Sequence, residues 1–166
     1  MEFQKLIRER ASVRSFKPSP LTQKQLGAIR DAANLAPSAG NMQGYYFYLV
    51  TGKETKEKLA KAAFNQGFIA EAPAVFVFFA DAAASSKKYG ERGNLFCIID
   101  ASLAAGYAQL AAADLGLGAV WVGAFKDGEV KETFGGEGRP VCILPVGIPA
   151  EIPRGNPRKD RLKKAI

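Results

Sequence analysis

Apolar residues recur at three- and four-residue steps in some stretches and run continuously in others. The two rhythms divide the chain into helices and strands. Phe3, Leu6 and Ile7 share one face of a short helix from Glu2 to Arg10. Leu26, Ile29, Ala33 and Ala36 mark a second helix. Thr22 with Gln25 three positions on forms a capping-box signature at its start. Pro37 stops it, because the ring removes a donor and restricts the residue before it. Tyr45 to Thr51 is aromatic and β-branched and predicts a strand. Glu54 to Phe64 predicts a helix with a solvated Lys/Glu face. Ala74 to Ala80 is continuously apolar, which implies a central strand covered on both faces. Ala82 to Gly93 is the least regular stretch and reads as a mobile loop. Its Tyr89-Gly90-Glu91-Arg92 could reach a substrate or simply connect.

The longest helix is expected from about Asn94 to Leu115, ended by Gly116 and Gly118. Ile99, Leu103, Gly106, Leu110 and Ala113 repeat like a coiled-coil seam. Ala101, Ala104, Ala105, Ala108, Ala111 and Ala112 make most of the remaining surface small and apolar. A helix apolar nearly all round is buried on more than one side. A chain of 166 residues can hardly bury both, so a dimer interface is inferred, with a central core helix in a monomer as the other reading. Ala119 to Gly123 and Val141 to Gly147 read as strands, with Pro145 near a bulge or an edge. Asp127 can cap a short helix through Phe134. Beyond Ile148 the periodicity is lost, and the basic stretch 149–166 must wander or lie on something else.

Composition narrows the chemistry. The length fits one domain, 1–166. Hydrophobic content is 48% and charged content 23%, which argues against disorder. Cys97 and Cys142 have no C-x-x-C spacing and no metal-ligand companions, and they read as buried thiols in a reducing compartment. The N-terminus lacks the apolar core of a signal peptide, and no apolar run reaches the length of a membrane span. These features predict a cytoplasmic protein with no metal and no membrane partner. The chain contains no histidine, which removes imidazole nucleophile activation, metal ligation and proton shuttling. The net charge of +7 is dispersed apart from the tail from Arg154 to Lys164, and no groove-entering or RNA-stacking motif accompanies it. Nucleic acid is therefore not the expected partner.

The stretch Pro37-Ser38-Ala39-Gly40-Asn41-Met42-Gln43 packs small residues, a hydroxyl and two amides between a helix and a strand. Such a loop suits a flat, polar-edged heterocycle. The same residues also suit a helix-stop loop whose polar groups satisfy the backbone. Upstream lies Arg10-Ala11-Ser12-Val13-Arg14-Ser15-Phe16. Downstream lie Leu115-Gly116-Leu117-Gly118-Ala119-Val120-Trp121-Val122-Gly123-Ala124-Phe125 and the basic Asn156-Pro157-Arg158-Lys159. Together, in this order, the four stretches resemble the nitroreductase-like flavoprotein family from about Glu9 to the end.

The resemblance implies an α+β fold: a three-layer α-β-α sandwich with a central mixed sheet, helices on both faces and two intertwined subunits. It implies flavin mononucleotide (FMN) at the subunit boundary. Arg10, Arg14 and Arg158, with Lys159 as a further candidate, would hold its phosphate. Arg10 and Arg14 are four apart, so a helical turn could place them on one face. Ala11 stands where many relatives carry a second basic residue, leaving only its backbone to serve. Ser12 would contact the ring edge or ribityl region. Pro37, Ser38, Ala39, Asn41 and Gln43 would line the flavin from the other subunit. Relatives usually continue Pro-Trp after this Gln, whereas here Gly44-Tyr45 follows. Val122 and Gly123 would bring backbone near flavin N5, where a donor stabilises developing charge. The tail would lie across the partner subunit.

The implied activity is hydride transfer from NADH or NADPH to the flavin, then reduction of a small acceptor such as a nitroaromatic or quinone in the same emptied site. The flavin carries the chemistry. Tyr89 is the candidate proton donor. Two other readings stay open from the sequence: a protein that stores or senses FMN without turnover, and a basic interaction module without cofactor.

Overall fold

The seven apolar residues Ala74–Ala80 form a strand in which every residue is buried. It lies in a four-stranded sheet of β1 (Tyr45–Val50), β2 (Ala74–Ala80), β3 (Gly118–Ala119) and β4 (Arg139–Gly147), in the order β1-β2-β4-β3. The computed structural model describes residues 2–154 and 157–164. All three ladders are antiparallel. The mixed character expected of the sheet is confined, among the described residues, to one parallel bridge between Ser12 and Ala119.

Alternation along β2 builds a core on each face of the sheet. Val75, Val77 and Phe79 pack with Leu59, Ile69 and Val130. Those three come from α3 (Lys53–Ala62), α4 (Phe68–Glu71) and α7 (Asp127–Thr133). Phe76 and Phe78 pack with Ile29 of α2 (Gln23–Asn34) and with the alanines of α6 (Gly93–Asp114). Each fully buried Phe contributes roughly 1.5–3 kcal/mol. The result is helix on sheet on helix. The short α1 (Phe3–Glu9) and α5 (Ala82–Tyr89) both pack on α6.

Local signals account for most boundaries. The Thr22–Gln25 capping box opens α2 with both reciprocal bonds in place. At the other end of α2, the Tyr45 hydroxyl donates to the Ala33 carbonyl at 2.9 Å, which also accepts from the Ala36 N–H at 3.3 Å. Pro145 is neither at an edge nor at the bulge. Its carbonyl accepts from the Val120 N–H, so its donor-less nitrogen faces the short β3 side of the strand. The register shift lies between Phe78 and Phe79, opposite Cys142 and Pro140.

Four expectations need correction. The stretch from Ala82 to Gly93 is not a loop: it is α5 followed by a 3₁₀ turn, Gly90–Arg92. Asp81 caps α5 by accepting from the Ala84 N–H at 3.0 Å, and three alanines then favour the helix. The strand predicted from Ala119 to Gly123 is reduced to Gly118–Ala119 plus a bridge from Val122 to Ile143. Asp127 is the first helical residue of α7 rather than its cap, and it lies 3.8 Å from Arg139. Finally, a helical stretch within Ala82–Asp114 is long and apolar enough to cross a membrane by length and composition, a test that a core helix also passes. Here Gly90, at φ +53°, breaks the stretch, and the α6 alanines lie against the sheet.

The two faces of α6 differ. Ala101, Ala104, Ala105, Ala108 and Ala112 are fully buried. Leu95, Ile99, Leu103 and Tyr107 follow at four-residue steps and are 37–49% exposed. The seam read from the sequence is therefore present, but Leu95 and Tyr107 extend it, while Leu110 and Ala113 are half-buried.

Candidate functional site

The helix α1 ends at Glu9, so Arg10 to Arg14 is not a helical turn. The segment runs extended beside β3. Ser12 bridges Ala119, and the Val13 N–H donates to the Ala119 carbonyl at 3.1 Å. Val13 is 3% exposed and points into the core. In extended chain the side chains alternate, so Ser12 and Arg14 share the face opposite Val13, while Arg10, the C-cap of α1, lines the groove with Ala11 and Val13. The helical turn expected to bring Arg10 and Arg14 to one face is absent. Neither guanidinium has a carboxylate partner among the described residues. Ala11 and Val13 line a groove of about 420 Å³ together with Gln109, Ala113 and Gly116, at the C-terminal end of α6.

From Ala119 the chain runs through Val122 to Gly123. Val122 is buried and exchanges both backbone hydrogen bonds with Ile143. Gly123 is exposed, and its N–H has no partner among the described residues. A β-carbon at Gly123 would meet only Trp121, at 3.4 Å or more. Nothing within the protomer thus demands glycine there, and any demand comes from what approaches from outside. The Gln66 side chain donates to the neighbouring Ala124 carbonyl at 3.4 Å, a contact that sequence reasoning missed.

The loop from Pro37 to Gln43 contains a 3₁₀ turn, Ala39–Asn41. Gly40, Asn41 and Gln43 all have positive φ, at 53°, 56° and 50°. For the two non-glycine residues this is a strained conformation. The Ser38 hydroxyl accepts from the Gln43 N–H at 3.0 Å, and its own proton is left to donate outward. Asn41 and Gln43 are exposed. The residue that ties this loop to the core is Asp100 of α6, which is 1% exposed. Its two carboxylate oxygens accept from the Ala39 N–H at 2.9 Å and the Gly44 N–H at 3.2 Å. Burial, and then the Asp100 carboxylate, push the Tyr45 phenol above its usual range. Sequence reasoning missed Asp100. The signal was an acidic residue inside a helix otherwise apolar all round.

Tyr89 and Lys88, at the end of α5, stand against Gly40. The Tyr89 ring packs edge-on to Phe96 with centroids 4.9 Å apart. Tyr89 meets the candidate loop from a helix and not from a mobile connection. Arg158 and Lys159 are exposed, in a stretch without regular structure. Asn156 lies outside the described residues.

Within one protomer these parts form two separate groups. The Pro37–Gln43 loop is anchored at Asp100, while the Arg10–Arg14 segment lies beside Gln109 and Ala113. At about 1.5 Å per residue, those anchors are roughly 14–20 Å apart along α6.

The chain folds as a helix–sheet–helix sandwich with the Arg10–Arg14 segment running beside β3. The chain matches the Nitroreductase family over residues 7–68 and 62–148 and belongs to that family. It is 31% identical to a nitroreductase-type protein of Methanocaldococcus jannaschii, across 89% of this chain and 91% of the relative. It is also 31% identical to the FMN reductase (NAD(P)H) of Bacillus subtilis, across 93% of this chain and 68% of that one. The solved structure of the NfrA1 nitroreductase from B. subtilis superposes with a TM-score of 0.87 at 27% identity, covering 93% of this chain and 69% of the other.

Proposed function

We propose that the chain is an FMN-dependent oxidoreductase that takes hydride from NADH or NADPH and passes it to a small acceptor such as a nitroaromatic or a quinone. Its membership of the family and the activity named for its B. subtilis relative support the reading. One observation carries it. Ser12 and Arg14 stand on one face of a segment registered on Ala119, with Arg10 at its start, and from Ala119 the chain leads to Gly123, whose N–H has no partner among the described residues.

The residues fit the cofactor. Two arginines without carboxylate partners among the described residues suit a dianionic phosphate, because a planar guanidinium makes paired, charge-assisted hydrogen bonds. Arg158 and Lys159 add charge from the tail. The backbone at Ala11 and the Ser12 hydroxyl serve the polar chain between phosphate and ring. Pro37 and Ala39 offer apolar contact, while Ser38, Asn41 and Gln43 offer neutral hydrogen bonds to a heterocycle's edge. Bound FMN supplies a ring that accepts a hydride at N5 and hands it on. Val122 fixes the backbone that presents the Gly123 N–H, a preorganised donor toward the place where negative charge develops. Tyr89 holds a phenolic proton at the rim of the loop. No side chain titrating near neutrality is required, in keeping with a chain that has no histidine.

The functional unit is a homodimer. Within one protomer the loop and the arginine segment are anchored at separate points of α6, roughly 14–20 Å apart, and a second copy can supply one group to the other. Pairing α6 with its copy through Leu95, Ile99, Leu103 and Tyr107, in antiparallel sense, brings the loop of one protomer to the arginine segment of its partner. An exposed apolar stripe of this kind marks an association surface. The tail, 149–166, crosses the partner. Each protomer is a single FMN-binding domain, 1–166, and its two buried, unpaired thiols suit the cytoplasm.

The test is an absorbance spectrum of the purified protein before and after anaerobic NADPH or NADH. A flavin spectrum that bleaches supports the reading. A flavin that does not bleach points to storage or sensing. A protein that takes up no FMN overturns it.

A further inference from the structure

We infer that Asp100 is a positioning residue that sets the conformation of the Pro37–Gln43 loop, and that Gly44 and Ser85 are built around it. The inference rests on the reading of that loop as a cofactor wall. Asp100 brackets the strained part of the loop: one oxygen takes the N–H of Ala39, before Gly40, and the other takes that of Gly44, after Gln43. The three positive-φ residues lie between these two bonds. Strain of this kind persists only where the surroundings over-determine it. A buried carboxylate gripping both ends, with the Ser38 hydroxyl bonding inside, supplies that over-determination.

Gly44 completes the device. Its N–H is one of the two donors to Asp100, a donor that proline lacks. A β-carbon on Gly44 would collide with the Ser85 hydroxyl and lie 3.3 Å from the Asp100 carboxylate. Ser85 is fully buried, and its hydroxyl oxygen has no hydrogen-bond partner among the described residues. Asp100, Gly44 and Ser85 therefore meet at one point behind the loop, 15 to 56 residues apart in the chain. This chain thus holds its loop from behind by a carboxylate.

Amide hydrogen exchange on the FMN-free protein tests this without relying on activity. Asp100→Asn replaces one acceptor by a donor, so one of the two N–H groups is left facing another donor. The expected result is about tenfold or greater loss of protection confined to residues 39–44, with β2 and β4 unchanged. FMN affinity, measured against the wild type, should fall by a similar factor. Uniform loss across the sheet, or wild-type loop exchange, overturns the inference. A second pair keeps the test open should Asp100→Asn fail to fold. Gly44→Ala should weaken FMN binding, and adding Ser85→Ala should restore most of it. Equal affinity of the single and double variants overturns the inference. Failure of the wild type to bind FMN would sink the proposed function and leave the exchange result to stand on its own.

Discussion

The Tyr89 hydroxyl occupies the space that a β-carbon on Gly40 would need, with Gly40 itself at φ +53°. Gly40→Ala therefore meets both a backbone penalty and a neighbour. It is expected to cost about 1–3 kcal/mol in urea unfolding and to weaken FMN binding. Tyr89→Phe relieves no strain and keeps the Phe96 contact. It should leave reduction by NADPH or NADH unchanged in stopped-flow absorbance and slow turnover with a quinone. A slowed first half-reaction would exclude the proton-donor role.

Arg14 is exposed and has no acidic partner among the described residues. Its removal should barely touch the fold. For Arg14→Ala the expected shift in unfolding free energy is within about 0.5 kcal/mol. A charged hydrogen bond to phosphate is worth roughly 1.5–3 kcal/mol, so FMN affinity should drop about tenfold to a hundredfold. Titration followed by flavin fluorescence measures it, and riboflavin, which lacks the phosphate, should bind both proteins alike.

Leu103 lies in the middle of the exposed stripe on α6. Leu103→Glu places a charge there that a monomer tolerates and a dimer interface does not. Sedimentation should show the mass falling to that of one protomer, and the protein should lose bound FMN with it. A dimeric, yellow variant would place the interface elsewhere.

Cys142 and Lys56 contribute to the alkaline behaviour with opposite signs. Burial raises the Cys142 thiol well above 9.0. Its stabilisation is complete below the unfolded value and is lost as pH rises through the folded one. Burial lowers the Lys56 amine below 10.5, with its Nζ donating to the Ala72 carbonyl at 2.7 Å. For that group the unfolded chain holds the proton to higher pH, so stability rises from the folded value towards 10.5. In urea melts from pH 7 to 11, Cys142→Ala should flatten the loss above about pH 9. Lys56→Met should steepen it.

What the sequence determined by itself was short-range. The Thr22–Gln25 capping box, the stop at Pro37, the fully apolar Ala74–Ala80 and the periodicity of α6 act within a turn or between nearest neighbours, and they are visible in a string of letters. The ordered motifs likewise named the family. Even a local signal can be masked: Asp81 caps α5, but the serines and lysines after it gave no apolar period to read. Only the tertiary structure decided which face each residue meets. Ser12 and Arg14 share a face because their segment is held extended on Ala119, a partner more than a hundred residues away. Asp100 is a clamp because packing α6 beneath the loop brings it to amides 56 and 61 residues distant. Those contacts depend on the register of whole elements, which hydrophobic packing fixes and no local propensity encodes. The same register sets the loop and the Arg10–Arg14 segment at different points along α6.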